Sequence, residues 1–290
     1  MPALAALVLV TAVWGVTFVQ VKDAVALYPL FAFLAVRFAI ASVTLAPVAA
    51  RRVRGLGRRG VAAGTLLGLL LATGYALQTA GLERTSVSNA GFVTGLYVVF
   101  TPLLALVLFR LRIGAAAWIG VAVATGGLAL LSGLAEGGSA EGDLLVLAGS
   151  AAYSLQIVLL ERFARRYDAV AFTQVEMAAA FTGFAVVALA LGQIELPRGW
   201  TVWGALLVTG VFASALAFLV QTWAQRRTSA TRTALAFALE PVFTAVFGFA
   251  LAGDRLGALA WLGCALIMLG ILLAEPAAAA ALARLLRRRP

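Results

Sequence analysis

The chain has no histidine, one cysteine and one lysine among its 290 residues, and each shortage removes a class of chemistry. Without histidine, no Ser-His-Asp set and no histidine-based zinc spacing can be assembled. Cys264 stands alone, so neither an intrachain disulfide nor a cysteine metal cluster is available. Lys22 lies in no G-x-x-x-x-G-K context, which argues against ATP-driven pumping by this chain alone. No metal and no cofactor is expected. Charge is scarce too: 12% of residues are Asp, Glu, Lys or Arg, against 63% hydrophobic, and mean hydropathy is +1.03. One soluble globule of this size cannot hide so much apolar surface, so the composition predicts an all-α integral membrane protein.

A hydrocarbon core of about 30 Å takes roughly 20 residues of helix. Polar or glycine-containing breaks divide the chain into ten such spans, near residues 3–21, 30–50, 61–80, 88–109, 114–134, 143–161, 170–192, 201–222, 230–252 and 256–274. With the N-terminus inside, the loops at Arg51 to Arg59, Arg110 to Arg112, Arg162 to Arg166 and Arg226 to Arg232, plus the tail after Arg284, hold 17 of the 22 basic residues. Lys22, Arg84, Arg198 and Arg255 fall on the other side, and Arg37 lies within a span. That bias predicts a multi-pass protein of the plasma (inner) membrane with both termini cytoplasmic. A net charge of +10 in a soluble protein would suggest nucleic acid. Here the arginines flank membrane spans without interleaved aromatics, so the expected partner is the lipid bilayer and not nucleic acid. The first span lacks a basic leading region and is followed by more helices, so it reads as retained rather than as a signal peptide.

Repetition is the next signal. Residues 112–127, RIGAAAWIGVAVATGG, match residues 255–270, RLGALAWLGCALIMLG, at an offset of 143 with eight of 16 positions identical. Gln78-Thr79 and Thr85-Ser86 match Gln221-Thr222 and Thr228-Ser229 at the same offset, whereas Trp14 aligns with Tyr153, and Thr101-Pro102 with Glu240-Pro241, at 139. Five spans per half is an odd number, so the second half enters the membrane from the opposite side: the fold is expected as two inverted five-helix repeats. The domains are read as 1–137 and 138–276 for the two repeats, with 277–290 a basic cytoplasmic tail. Such halves exchange conformations and open one central site to each face in turn, which argues for a secondary transporter.

The segments WGVTFVQVK at 14–22, Arg37-Phe38, LQTAGLERTSVSNAGFVTGLYVVFTPLLA at 77–105 and LEPVFTAVFGF at 239–249 resemble EamA-type drug/metabolite transporters over nearly the whole chain. The resemblance implies a gradient-linked or facilitative carrier of small metabolites, most often an exporter. The second half departs from the pattern, with YSLQIVLLE at 153–161 where the first has its WG motif.

Ionisable groups inside a membrane are costly and mark function. Arg37, Glu176 and Glu240 pass this filter, with Arg37 and Glu176 at depths too different for a direct pair. Glu240, near the midplane, is expected to bind substrate or a coupling proton. Pro102 and Pro241 each remove a backbone donor and free carbonyls one turn earlier. Trp14, Tyr153, Gln156 and Tyr97 are expected to line the substrate site with Glu240, Tyr153 and Gln156 sharing a helix face at i,i+3. Arg37, Gln78, Glu176, Gln221 and the two prolines are expected to couple or gate. Helices one, four, six and nine are expected to form the cavity, with five and ten as scaffold. A small amino-acid-like substrate is favoured; a multidrug or amine carrier, a membrane enzyme and a receptor are the alternatives. GLGRRG at Gly55 to Gly60 follows a membrane helix and not a strand, and no acid occurs before Glu83, so it is not a dinucleotide fingerprint. The spacings Gly60, Gly64, Gly68 and Gly91, Gly95 predict close helix packing.

Overall fold

A computed structural model describes residues 2–85, 87–132, 139–247, 249–250 and 257–274, with backbone alone for residues 18, 19, 22 and 87–89. The expected repeat boundary at 137–138, Asp254, Arg255 and the basic tail 277–290 lie outside the described residues. Helices fill the rest: α1 (Pro2–Val25), α2 (Leu30–Val53), α3 (Gly57–Leu82), α4 (Val87–Gly95), α5 (Tyr97–Phe109), α6 (Ala115–Leu131), α7 (Ala140–Ala164), α8 (Ala169–Ala190), α9 (Trp200–Gly210), α10 (Ala217–Gln225), α11 (Ala230–Phe237), α12 (Glu240–Phe247) and α13 (Ala258–Ala274). A 3-10 turn, Arg54–Leu56, joins α2 to α3, and Gly57 with φ +64° supplies the left-handed backbone that the turn needs. A π turn, Val211–Leu216, runs between α9 and α10 without interrupting the helix.

Six helical stretches are long and apolar enough to cross a membrane, by length and composition: Leu30–Leu82, Ala90–Phe109, Ala140–Ala164, Ala169–Ala190, Trp200–Gln225 and Ala230–Phe247. The first is a run of 53 residues containing both α2 and α3. Pro2–Thr17, Ala115–Leu131 and Ala258–Ala274 are apolar but shorter. Val43, Val107, Leu189 and Leu259 are among many large apolar side chains turned outward, the surface expected where the surrounding solvent is lipid.

Starts of the helices follow local chemistry. Asp168 accepts a hydrogen bond from the Ala171 amide at 3.0 Å to cap α8, and Ser139 does the same for Gly142 at 3.0 Å on α7. The continuous fourth and ninth spans of the sequence reading are each broken. Leu96 separates α4 from α5, and Ala238-Leu239 separate α11 from α12. Pro102 sits inside α5, one turn and more beyond the break, so it does not cause it. Pro241 stands second in α12, where its missing N–H is least costly.

Helix starts also revise the register between the halves. Leu30 and Ala169 are 139 apart, while Gly57 and Trp200, Val87 and Ala230, Tyr97 and Glu240, and Ala115 and Ala258 are each 143 apart. Tyr97, not Thr101, is therefore the counterpart of Glu240, because the helix break and not the proline sets the frame.

Packing places α2 against α8, α3 against α7 and α8, α1 against α9, α10 and α12, and α6 against α13. In the last pair the backbones nearly touch. A Cβ on Gly120 would lie 2.5 Å from the Gly270 carbonyl oxygen, and one on Gly127 2.6 Å from that of Gly263. Gly60, Gly64 and Gly68 lie against Tyr167, Val175 and the Glu176 backbone, as their spacing predicts. Gly95 meets Leu128, but nothing lies within 4 Å of a Cβ built on Gly91, so that pair is not one packing seam.

Candidate functional site

The two helix breaks point inward at the same place. Pro241 has no N–H to give the Phe237 carbonyl, and the chain tightens instead through Leu239 N to Ala236 O at 3.1 Å. This brings Phe237 and Glu240 onto the wall of a cavity of about 570 Å³, and the break at Leu96 brings Tyr97 onto the same lining. At one end the cavity reaches Ala26, Pro29, Glu83 and Gln193, all at or beyond helix ends. Tyr28 Oη donates to Glu195 O at 2.6 Å and Phe31 N to Gln193 Oε1 at 3.1 Å, so the turns after α1 and α8 are tied together at this mouth. At its other end the lining stops at Gln156, Ile157 and Gln221.

Aromatic groups and one cation build the walls. Trp14 Nε1 donates to Ala213 O at 2.8 Å, and its ring lies 4.8 Å from that of Phe237 and 5.7 Å from that of Phe218. Arg37 is only 5% exposed: Nε donates to Ser214 Oγ at 2.8 Å, and Nη2 to Tyr75 Oη at 3.3 Å and Ala213 O at 3.5 Å. The guanidinium carbon also stands 5.1 Å from the Tyr75 ring centre. Ala213 and Ser214 belong to the π turn, so this one irregular turn positions both Trp14 and Arg37. Across the cavity Tyr153 Oη donates to Gln78 Oε1 at 3.0 Å, and Gln78 Nε2 to Thr94 Oγ1 at 2.9 Å. Tyr75 and Tyr153 meet edge to face at 5.5 Å. The Glu240 carboxyl makes no hydrogen bond or ion pair among the described residues and lines the cavity beside Phe237.

Below this floor runs a chain of amides. Gln225 Nε2 donates to Ile157 O at 2.8 Å, Gln221 Nε2 to Gln225 Oε1 at 3.0 Å and to Gln156 Oε1 at 3.3 Å, and Gln156 Nε2 to Glu176 Oε1 at 2.6 Å. All four residues are buried. Nearer the basic end Glu161 Oε2 accepts from the Ala230 amide at 2.7 Å and fastens the start of α11 to α7.

Of the residues singled out in the sequence, Trp14, Arg37, Gln78, Tyr97, Tyr153, Gln156, Gln221 and Glu240 line this one cavity. Gln78 and Gln221, both expected to couple or gate, thus share a single space. Glu176 lies behind the floor, and Pro102 and Pro241 lie outside the lining. No ion pair joins Arg37 to Glu176. Sequence reasoning missed Tyr75, Phe218 and Phe237, and with them the π turn. Tyr75 shares a helix face with Gln78 and Thr79, a spacing that could have found it. Nothing in VFASAL at 211–216 announces a π turn.

The EamA-like transporter family model matches residues 1–133 and 140–275. An uncharacterized transporter of Archaeoglobus fulgidus is 30% identical over 272 residues, covering 92% of this chain and 83% of its own. The uncharacterized inner membrane transporter YedA of Escherichia coli is 27% identical over 284 residues, 94% of this chain and 90% of that protein. A crystal structure superposes with a TM-score of 0.80 over 97% of this chain and 98% of its own, at 20% identity, and shows the same fold. The apolar helices and these matches make the protein a multi-pass membrane transporter, and the chain belongs to the EamA-like transporter family.

Proposed function

We propose that the chain is a ten-span carrier of small zwitterionic, amino-acid-like metabolites, built from two inverted five-helix halves that work by alternating access. Its halves are residues 1–137 and 138–276, with 277–290 a cytoplasmic tail. Support for the inversion comes from α6 and α13. Gly120 and Gly263 are equivalent by the 143-residue offset, as are Gly127 and Gly270, and the close contacts are Gly120 to Gly270 and Gly127 to Gly263. Exchanging the two helices turns one contact into the other, as a two-fold axis across an antiparallel pair requires. The double match of one family model, at 1–133 and 140–275, points the same way.

The observation that carries the functional reading is the one-ended cavity with Arg37 and Glu240 both on its wall. A substrate carboxylate is drawn to Arg37 and an ammonium to Glu240, while Trp14, Tyr75 and Phe237 take an apolar or aromatic side chain. By the bias of basic residues, the mouth at Ala26, Glu83 and Gln193 faces away from the cytoplasm, both termini are cytoplasmic, and this conformation is outward-facing. Export from the inner membrane is the direction that the family resemblance favours. Gln156 and Gln221 form the inner gate.

One observation favours a second reading, a carrier of amines or cationic drugs: three protein groups already accept hydrogen bonds from Arg37, whereas the Glu240 carboxyl makes no hydrogen bond or ion pair among the described residues. Counterflow in proteoliposomes with labelled amino acids and with the matching decarboxylated amines separates the two. The zwitterion reading expects amino-acid exchange whose half-saturating concentration both Arg37→Gln and Glu240→Gln raise strongly. Amine exchange alone, indifferent to Arg37→Gln, would replace it with the second reading.

A further inference from the structure

Arg37 and Glu176 stand 139 residues apart, the same offset that separates Trp14 from Tyr153 and the start of α2 from that of α8. One repeat position therefore carries a guanidinium in the first half and a carboxyl in the second. Their surroundings correspond: Arg37 reaches across to Ser214 on the eighth span, and the Glu176 backbone lies against Gly68 on the third, the span that corresponds to the eighth. Arg37 lines the open cavity, whereas Glu176 is fully buried behind its floor.

We propose that Glu176 is a proton-binding site, sealed in this conformation behind the Gln156–Gln221 amide pair and opened to cytoplasmic water when the two halves exchange roles. The proposal rests on the alternating-access reading for its opening, but the site itself rests on local chemistry. Oε1 receives one hydrogen bond, from Gln156, and Oε2 is buried with no partner among the described residues. A bare carboxylate held that way is far costlier than a neutral acid.

The packed elements supply no counter-charge. From α2 comes Arg37, committed to Ser214, Tyr75 and Ala213; from α3 comes Tyr75, whose hydroxyl receives Arg37. Helix α7 offers Gln156 and Tyr153, and its Glu161 is engaged with the Ala230 amide and Arg165. Helix α10 offers the uncharged Gln221 and Gln225, and the π turn offers Ser214. No ion pair among the described residues includes Glu176. The Gln221–Gln156 bond, at 3.3 Å, is the longest link of the amide chain. When it parts, water reaches Oε2, where the proton adds or leaves. Glu240 stays with the substrate, so the two carboxyls have separate duties.

Infrared spectra of the purified protein in lipid nanodiscs, in H2O and D2O, test the site without any transport. A neutral carboxyl C=O band is expected in the wild type at neutral pH, lost in Glu176→Gln and retained in Glu240→Gln. Gln156→Leu removes the hydrogen bond to Oε1 and is expected to move that band to higher frequency, which keeps the test alive if Glu176→Gln fails to fold. A band unchanged in Glu176→Gln and unmoved in Gln156→Leu overturns the proton site. In proteoliposomes, the ratio of amino-acid flux with a pH gradient to flux without one is expected to fall to unity in Glu176→Gln. A wild-type ratio that survives in this variant overturns the coupling role. Wild-type protein that shows the band and moves no amino acid or amine refutes the transport reading and upholds the proton site.

Discussion

The α6–α13 pair and the central cavity treat the repeat in opposite ways. Along the segments 112–127 and 255–270 half of the compared positions are identical, and the closest contacts of α6 with α13 are reciprocal. Where both members of a matched pair line the cavity, they read Trp14 and Tyr153, Thr17 and Gln156, Tyr75 and Phe218, Thr94 and Phe237, and Tyr97 and Glu240, with only Gln78 and Gln221 alike. The difference has a packing cause. A glycine in the α6–α13 seam lies against the backbone of the facing helix, so a substitution there disturbs a close-packed contact. A residue facing a void has no such partner and is free to diverge. On the proposed reading, an asymmetric substrate also needs unlike walls, which divergence supplies.

The largest way to break this contrast is at the seam. Gly263→Leu pushes a side chain into the Gly127 carbonyl and is expected to cost at least about 3 kcal/mol, abolishing the monodisperse peak in size-exclusion chromatography. Gly126→Leu, one residue from Gly127 but with nothing within 4 Å of its Cβ, is expected to leave that peak intact. At the cavity, folding should survive while function changes. Glu240→Gln is expected to weaken substrate binding by about 2 kcal/mol, roughly thirtyfold in the half-saturating concentration for counterflow. Glu161→Gln loosens the fastening of α11, worth about 1 kcal/mol, and should raise thiol labelling of an Ala164→Cys reporter, in a Cys264→Ala background, roughly fivefold. The smallest effect is expected from Trp14→Phe, which keeps the ring contacts, loses the bond to Ala213 O, and should cost about 0.5–1 kcal/mol in substrate affinity by the same counterflow assay.

Helix positions were legible because bilayer thickness and hydropathy dictate them: the expected 30–50 and 170–192 became Leu30–Val53 and Ala169–Ala190. The breaks were only half legible. Pro241 lies two residues after its break and signals it, but Pro102 lies six after Leu96 and misled the register, making Thr101 the counterpart of Glu240. That Arg37, Trp14 and Glu240 belong to the cavity lining was legible because polar or bulky groups at membrane depth are rare and conspicuous. Phe237 and Phe218 were missed because apolar aromatics are unremarkable in such a chain, and only the tertiary fold distinguishes those that face a void. Gln225 escaped notice for a related reason, since its amide matters only through Gln221 and the Ile157 carbonyl.

The π turn at Val211–Leu216 has one further consequence, which concerns how the chain can change its length. A π turn holds one residue more than an α turn without opening the helix, so it is the form in which a helix absorbs a single-codon insertion. Deleting Ala213 would return the eighth span to regular winding and rotate everything on one side of it by about 100°. Ser214 would leave Arg37, the Trp14 indole would lose its acceptor, and the cavity would be remade by the removal of one amino acid distant in sequence from both.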